Sequence, residues 1–468
     1  MNDTLNLLHA TLVPRAALVL LAAGLLASCG GGGGESSASS SGYPSGPVSC
    51  SVDGQKAWLR DYMNDQYFWY DKQGTPNESA TSLGAYLNSL LFKPKDRFSN
   101  AQSAAAFTQS SVEGKFTGYG VSWAYEDAAL TVLKVRLIEP LSPLAAAGVV
   151  RGDTIVSIDG LTPTQITAGQ LPPVSTAGVT RDFVLKNAAG VQRTLPVQSA
   201  IFSVSPVIKA EVLTASNGNK VGYLMYQQFL GTGSAALGQA FDKFRAAEVK
   251  DLILDFRYNL GGFTDQARNL ASMAGGTAVN GKVFTNYTFN AKQTAKNFAE
   301  IFNARLAPGA ALVDINNVVV ITSFDTASAS ELVINSLRPF KKVTTIGSTT
   351  RGKPYGFRTT ADVCGLVYNA VNVELSNAAG FADYSDGFAA TCPVADDLTR
   401  QFGDATEGRT AAALGYITTG ACPVAAKILD TNSAGSTESA AQQAIKNRAL
   451  NNTQLNSGET GTPQMLIR

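Results

Sequence analysis

The stretch DLILDFRYNLGGF, residues 251 to 263, decides the fold. Its first part, DLILDFRY, is a short apolar run of the kind found in a strand buried on both faces. Its second part, RYNLGGF, leaves that strand and turns on two glycines. Upstream, KVGYLMYQQF (220–229) reads as a strand and AALGQAFDKFRAAEV (235–249) has helical spacing. Downstream, NVVVITS (317–323) and KVTTIGS (342–348) are strand-like. TASASELVINSLRP (326–339) leaves the first of these and opens a helix, and RGKPYGF (351–357) follows the second. Strands alternating with helices predict a layered α/β domain over residues 205–427. Its strand exits are where open α/β sheets tend to place active sites.

A chain of 468 residues exceeds one ordinary domain, so two or three are expected. Residues 50–113, with AWLRDYMNDQYFWY and SLGAYLNSLLF, predict short amphipathic helices forming a small helical domain, its aromatic stripe being core. From 114 to 204 the texture is short strands around glycines: GYGVSW (118–123), ALTVLKVRLI, then SPLAAAGVVRGDTIVSIDG (142–160). This segment resembles a PDZ domain, in which a glycine-containing loop before a strand offers N–H groups to a peptide's terminal carboxylate and the peptide extends the sheet. The corresponding peptide-binding residues are Gly118, Tyr119, Gly120 and Val121. The fold class is therefore α/β, or multi-domain α+β. The tail 428–468, rich in Ser, Asn, Gln and Thr, offers little to bury and is expected to be disordered or loosely helical.

The formal charge is +1, from 37 basic and 36 acidic residues without long runs of one sign, which gives no electrostatic draw to nucleic acid or to an anionic membrane surface. Arg15 precedes AALVLLAAGLLA (16–27), too short to span a bilayer and suited to a secretory signal over residues 1–28. The segment LASC resembles a bacterial lipobox, which implies lipidation at Cys29, and residues 29–49 are a Gly/Ser-rich tether. Gly30 leans towards the outer membrane by analogy with known lipoproteins, so the expected location is the cell envelope, lipid-anchored and facing the periplasm. Cys50, Cys364, Cys392 and Cys422 then allow up to two disulfides in any of three pairings. No C-x-x-C spacing suggests zinc, and no cofactor is called for. The single histidine, His9, lies in the signal, which excludes Ser-His-Asp and Cys-His chemistry from the mature chain.

Without histidine, a serine nucleophile needs another base, and lysine serves if it is held neutral. Bringing lysine from ~10.4 to about 7.5 requires about 4 kcal/mol of desolvation or positive neighbours. Lys353 follows Gly352 and precedes Pro354, which favours an extended backbone, and lies 25 residues after Ser328, room for a helix and a return strand. Ser328 opens a helix, where the N–H of Ala329 can face a developing oxyanion; Gly261 or Gly262 is the natural second donor. Ser328 and Glu331 also fit a capping box, which alone explains a serine and a glutamate at a helix start, and Ser330 is read as structural.

The order of these features, PDZ-like segment, D-x-R-x-N-x-G-G, S-A-S-E and G-K, resembles the carboxyl-terminal processing (tail-specific) serine peptidases along residues 50–427. The resemblance implies a Ser/Lys dyad of Ser328 and Lys353, an oxyanion hole from Ala329 with Gly261 or Gly262, and a crotonase-like core of ββα units. Many members carry a glutamine four residues after the lysine; here that residue is Phe357. The implied function is an exported endopeptidase that captures protein C-termini, with the membrane reached through the lipid anchor only. The alternative is a non-catalytic lipoprotein that binds such tails, for which Phe357 is the best support. A crotonase-type acyl-CoA enzyme is disfavoured because no CoA phosphate site is visible.

Overall fold

The helix Val52–Gln66 starts where Ser51 Oγ accepts from Gly54 N–H at 3.1 Å, and it buries Trp58, Leu59, Tyr62 and Met63 along one face. The computed structural model describes residues 46–127, 129–303, 314–423 and 464–467. The signal, Cys29 and most of the tether fall outside the described residues. A second helix, Leu83–Leu90, is capped by Ser82 and buries Leu83, Tyr86, Leu87 and Leu90. This segment is not purely helical: Asn100–Ser103 forms a strand antiparallel to Leu366–Asn369. Its polar sequence, NAQS, carries no alternation, so the pairing is imposed by the partner strand. The Cys50–Cys364 disulfide joins the same two regions.

Residues 121–198 form a five-stranded antiparallel sheet, Val121–Tyr125, Leu133–Ile138, Thr154–Ile158, Thr180–Lys186 and Gln192–Gln198, paired in chain order. Leu133 and Val135 point into the sheet's own core with Ile155, Phe183 and Leu185, whereas Leu137, past a register shift in the pairing, packs with Tyr223 and Ile253. Two short helices, Pro143–Ala146 and Pro163–Thr167, each begin with proline after a Ser142 or Thr162 cap. A ribbon of Lys115–Gly118 paired with Ala200–Ser203 carries the chain into and out of this module.

The remaining residues build two six-stranded sheets. The first has the order Cys392–Pro393, Val343–Gly347, Asn317–Thr322, Asp251–Asp255, Lys220–Tyr226, Val207–Thr214; every pair is parallel except the last. Asp251–Asp255 is buried throughout because helices cover both faces. Ser234–Ala246, Thr264–Gly275 and Ala329–Leu337 pack on one side, and Gly408–Thr419 on the other. The second sheet has the order Gly261–Phe263, Gln464–Leu466, Tyr355–Phe357, Val371–Ser376, Val283–Phe289, Phe298–Ile301. Here the tail expectation is corrected at residues 464–467, while residues 428–463 lie outside the described residues. Gln464–Leu466 is a strand inside a sheet, with Met465 and Leu466 buried. The apolar run Met465-Leu466-Ile467 finds two strand edges to pair with, which outweighs the polar composition around it.

Candidate active site

Ser328 sits where the strand Asn317–Thr322 has ended and the helix Ala329–Leu337 begins. The turn between them is pinned: Thr326 Oγ1 donates to Phe256 O at 2.9 Å, and Ala327 N–H donates to Asn259 O at 3.0 Å. Ser328 itself has φ 62° and ψ −116°, a conformation that costs a non-glycine residue about 1–3 kcal/mol and persists only where the surroundings impose it. Its side chain is fully buried, and among the described residues Oγ has no hydrogen-bond partner. A buried, unpaired hydroxyl on a strained turn is costly as structure and useful as a nucleophile.

Glu331 organises the surroundings. Oε2 accepts from Ser328 N–H at 2.8 Å and from Lys353 N–H at 2.9 Å, while Oε1 accepts from Gly352 N–H at 2.7 Å and Thr350 Oγ1 at 2.5 Å. The amides of Ser328 and Lys353 therefore lie within two hydrogen-bond lengths of each other. Burial pushes the Glu331 carboxyl above its usual range, against the pull of these four donors. The sequence reading gave Glu331 a capping role alone. Its hold on the lysine loop depends on a fold contact that local spacing does not encode.

Lys353 is fully buried, with Nζ 3.6 Å from the centroid of the Phe357 ring and 5.4 Å from that of Phe98. Burial holds its amine well below the ordinary lysine range; the Arg351 charge adds to this, and Asp96 and Glu331 oppose it. Gly352 has φ 86°, and a Cβ there would lie 2.1 Å from Ser385 O, so only glycine fits before the lysine. Arg97 Nη2 donates to the carbonyls of Arg351 at 3.0 Å, Gly352 at 3.3 Å and Ser385 at 3.1 Å. Asp96, near the amine, accepts from Tyr67 Oη at 2.7 Å and from Ser99 Oγ at 2.6 Å. The helical segment thus clamps the lysine loop through KDRFS, to which the sequence reading assigned no chemistry. The charged pair beside Phe98 was visible, but its target lies more than 250 residues away.

The two candidate oxyanion glycines differ. Gly261 N–H already donates to Asn259 Oδ1 at 2.9 Å, and Asn259 Nδ2 donates to Tyr226 O at 2.7 Å. Phe229 N–H donates to Gly261 O at 2.9 Å and Phe263 N–H to Phe229 O at 2.8 Å. Alternation therefore turns the Gly262 amide to the opposite edge, towards Gln464–Leu466. A Cβ on Gly262 would come within 2.3 Å of Phe229 O, so the close approach needs glycine. Ala329 is the first helical residue, and its amide has no intrahelical acceptor by position.

Beneath the turn lies a buried charge network. Arg257 bonds Asp255, Asp396 and both oxygens of Glu407, and Tyr223 Oη donates to Asp255 Oδ2 at 2.6 Å. Burial alone would raise Glu407, but Arg257 brings it down to about 2. From the five-stranded module, Arg151 pairs with Asp396 at 2.8 Å, and Arg136 pairs at 2.6 Å with Asp325, three residues before Ser328. Asp325 also pairs with Arg351 at 2.8 Å.

In the loop Gly118–Val121, the Tyr119 ring packs edge-on to Phe183 at 5.1 Å and its Oη donates to Val179 O at 2.9 Å. Tyr119 O accepts from Leu144 N–H and Gly120 O from Glu139 N–H. A Cβ on Gly120 would sit 1.9 Å from Ser142 Cβ. Val121 begins a strand paired, within its sheet, on one side only.

Residues 220–363 match the family model for peptidase family S41, and residues 54–100 match that for the peptidase S41 N-terminal domain. A carboxyl-terminal-processing protease of a Picosynechococcus species is 26% identical over 308 residues, covering 64% of this chain and 70% of that protein. A carboxy-terminal-processing protease of Bartonella bacilliformis is 28% identical over 275 residues, covering 56% and 58%. A solved structure from Bacteroides fragilis, described as a candidate S41 protease, is 26% identical with a TM-score of 0.63, covering 78% of this chain and 97% of that one. Two family models on separate segments, these relatives and this structural likeness agree in making the chain similar to peptidase family S41.

Proposed function

We propose that the chain is a serine endopeptidase of the carboxyl-terminal processing type, with Ser328 as nucleophile and Lys353 as general base. The observation that carries this reading is the joint tethering of Ser328 and Lys353 by one Glu331 oxygen, with Ser328 Oγ unpaired and the Lys353 amine desolvated. Neutral Lys353 takes the proton as Oγ attacks the peptide carbonyl carbon, and the oxyanion is met by the amides of Ala329 and Gly262. The protonated lysine then gives its proton to the leaving amine. Water, deprotonated by the neutral amine, hydrolyses the ester and frees Ser328. Phe357 fits this reading too: its ring lies against the Lys353 amine as part of the apolar surroundings that bury it.

Residues 114–204 are read as a PDZ-like domain that takes substrate C-termini at Gly118–Val121 and along the edge strand Val121–Tyr125, between a helical domain at 50–113 and a crotonase-like peptidase core at 205–427. Export and lipidation at Cys29 on a tether remain the reading of residues 1–49. The disulfides Cys50–Cys364 and Cys392–Cys422 suit an oxidising compartment. The test is incubation of the mature chain with a disordered, C-terminally tagged reporter beside Ser328→Ala and Lys353→Ala. Cleavage by the parent and by neither variant is the expected result; undiminished cleavage by either variant overturns the dyad.

A further inference from the structure

The strand Gln464–Leu466 lies between two segments that the proposed mechanism uses. It pairs in parallel with Gly261–Phe263, in the register Gly261↔Gln464, Gly262↔Met465 and Phe263↔Leu466. On its other side Leu466 pairs with Phe357, and Ile467 N–H donates to Phe357 O at 3.0 Å. One neighbour carries the oxyanion glycines, and the other begins two residues after Lys353. Side-chain alternation sends Met465 into the core that includes Ala329 and Leu332, and puts Leu466 on the face of Phe263 and Phe357, the ring beside Lys353 Nζ. Within this slot the segment's side chains are closely packed against the neighbouring strand at Gly356. A Cβ on Gly356 would lie 3.2 Å from Ile467 Cδ1 and 3.0 Å from Val373 Cγ1.

We infer that this slot is where an extended substrate strand binds, and that residues 464–467 are its intramolecular occupant, which must leave before substrate can enter. A peptide there would put a main chain against the Gly262 edge and a side chain beside Phe357, as the segment does now. The slot therefore selects unfolded polypeptide with a large apolar residue at the position of Leu466. The pairing is short, three residues on one edge and one on the other, which suits a segment that is displaced rather than a permanent strand.

The inference rests on the peptidase reading for the identity of the competing strand, so its test reads binding and not cleavage. In a Ser328→Ala background, fluorescence anisotropy follows a labelled, disordered reporter bound to three chains: full length, ended at Pro463, and full length with Leu466→Asp. If the segment fills the slot in about nine molecules of ten, vacating it tightens reporter binding roughly tenfold. A synthetic peptide of residues 461–468, GTPQMLIR, then displaces the reporter from the shortened chain. Reporter affinity unchanged in a shortened chain that still unfolds cooperatively, or no displacement by the peptide, overturns the inference. If the shortened chain does not fold, Leu466→Asp decides by the same criterion, tighter binding supporting the inference and unchanged binding overturning it. Failure of the peptidase reading shows separately, as no reporter cleavage by Ser328-containing chains of either length.

Discussion

Replacing Lys353 by methionine should abolish cleavage and change the pH dependence of stability in a calculable way. In the unfolded chain the amine titrates near 10.5; in the folded chain burial between Phe98 and Phe357 holds it well below that. Between the two values the folded protein carries neutral Lys353 and the unfolded chain carries it charged, so unfolding takes up a proton. Stability is therefore fully present above 10.5 and is lost as pH falls towards the depressed value, at about 1.4 kcal/mol per pH unit. Methionine has a similar volume and no such titration. The stability difference, variant minus parent, should grow by that slope as pH is lowered through the window, so that near neutrality the inactive variant gains on the active parent. Urea unfolding of both proteins at half-unit steps from pH 7 to 9.5 measures it. A difference that stays flat across that range would refute the claim that Lys353 is held neutral.

Three further outcomes follow from the same contacts. Glu331→Gln places an amide NH2 where an oxygen now meets two donors; with about 1–3 kcal/mol for each buried group left unsatisfied, urea unfolding should show a loss of about 2–6 kcal/mol, with reporter cleavage falling beyond the unfolded fraction. Phe357→Gln exchanges the ring over the amine for a hydrogen-bonding group that favours the charged form, so the rising limb of the pH–rate profile should move to higher pH. The double replacement Cys392→Ser with Cys422→Ser opens a loop with 30 residues of separation and should cost about 2–4 kcal/mol, measured by thermal unfolding with and without reductant.

The layered core was legible because its strands are continuous apolar runs and its helices keep their spacing. Asp251–Asp255, Asn317–Thr322 and Ala329–Leu337 lie within two or three residues of where the pattern puts them. The serine at the helix start and the lysine after glycine were legible as residues, since unusual backbone positions leave local marks such as Gly352 and Gly262. What holds them was not. Arg97 reaches the lysine loop from the other end of the chain, and Glu331 reaches it from a position that a helix cap already accounts for. Met465 and Leu466 were hidden by averaging: three apolar residues in a polar tail vanish in a composition window but suffice to fill a gap between two strand edges.

The central claim, Ser328 activated by a neutral Lys353, is tested most directly by intact-mass measurement of labelling with a fluorophosphonate across pH. The expected result is a single adduct on Ser328, at a rate that rises with pH to a plateau with a midpoint well below 10.5, and no adduct in Lys353→Met. Labelling of Lys353→Met at the parent's rate, or a parent rate still climbing at pH 10.5, would contradict it.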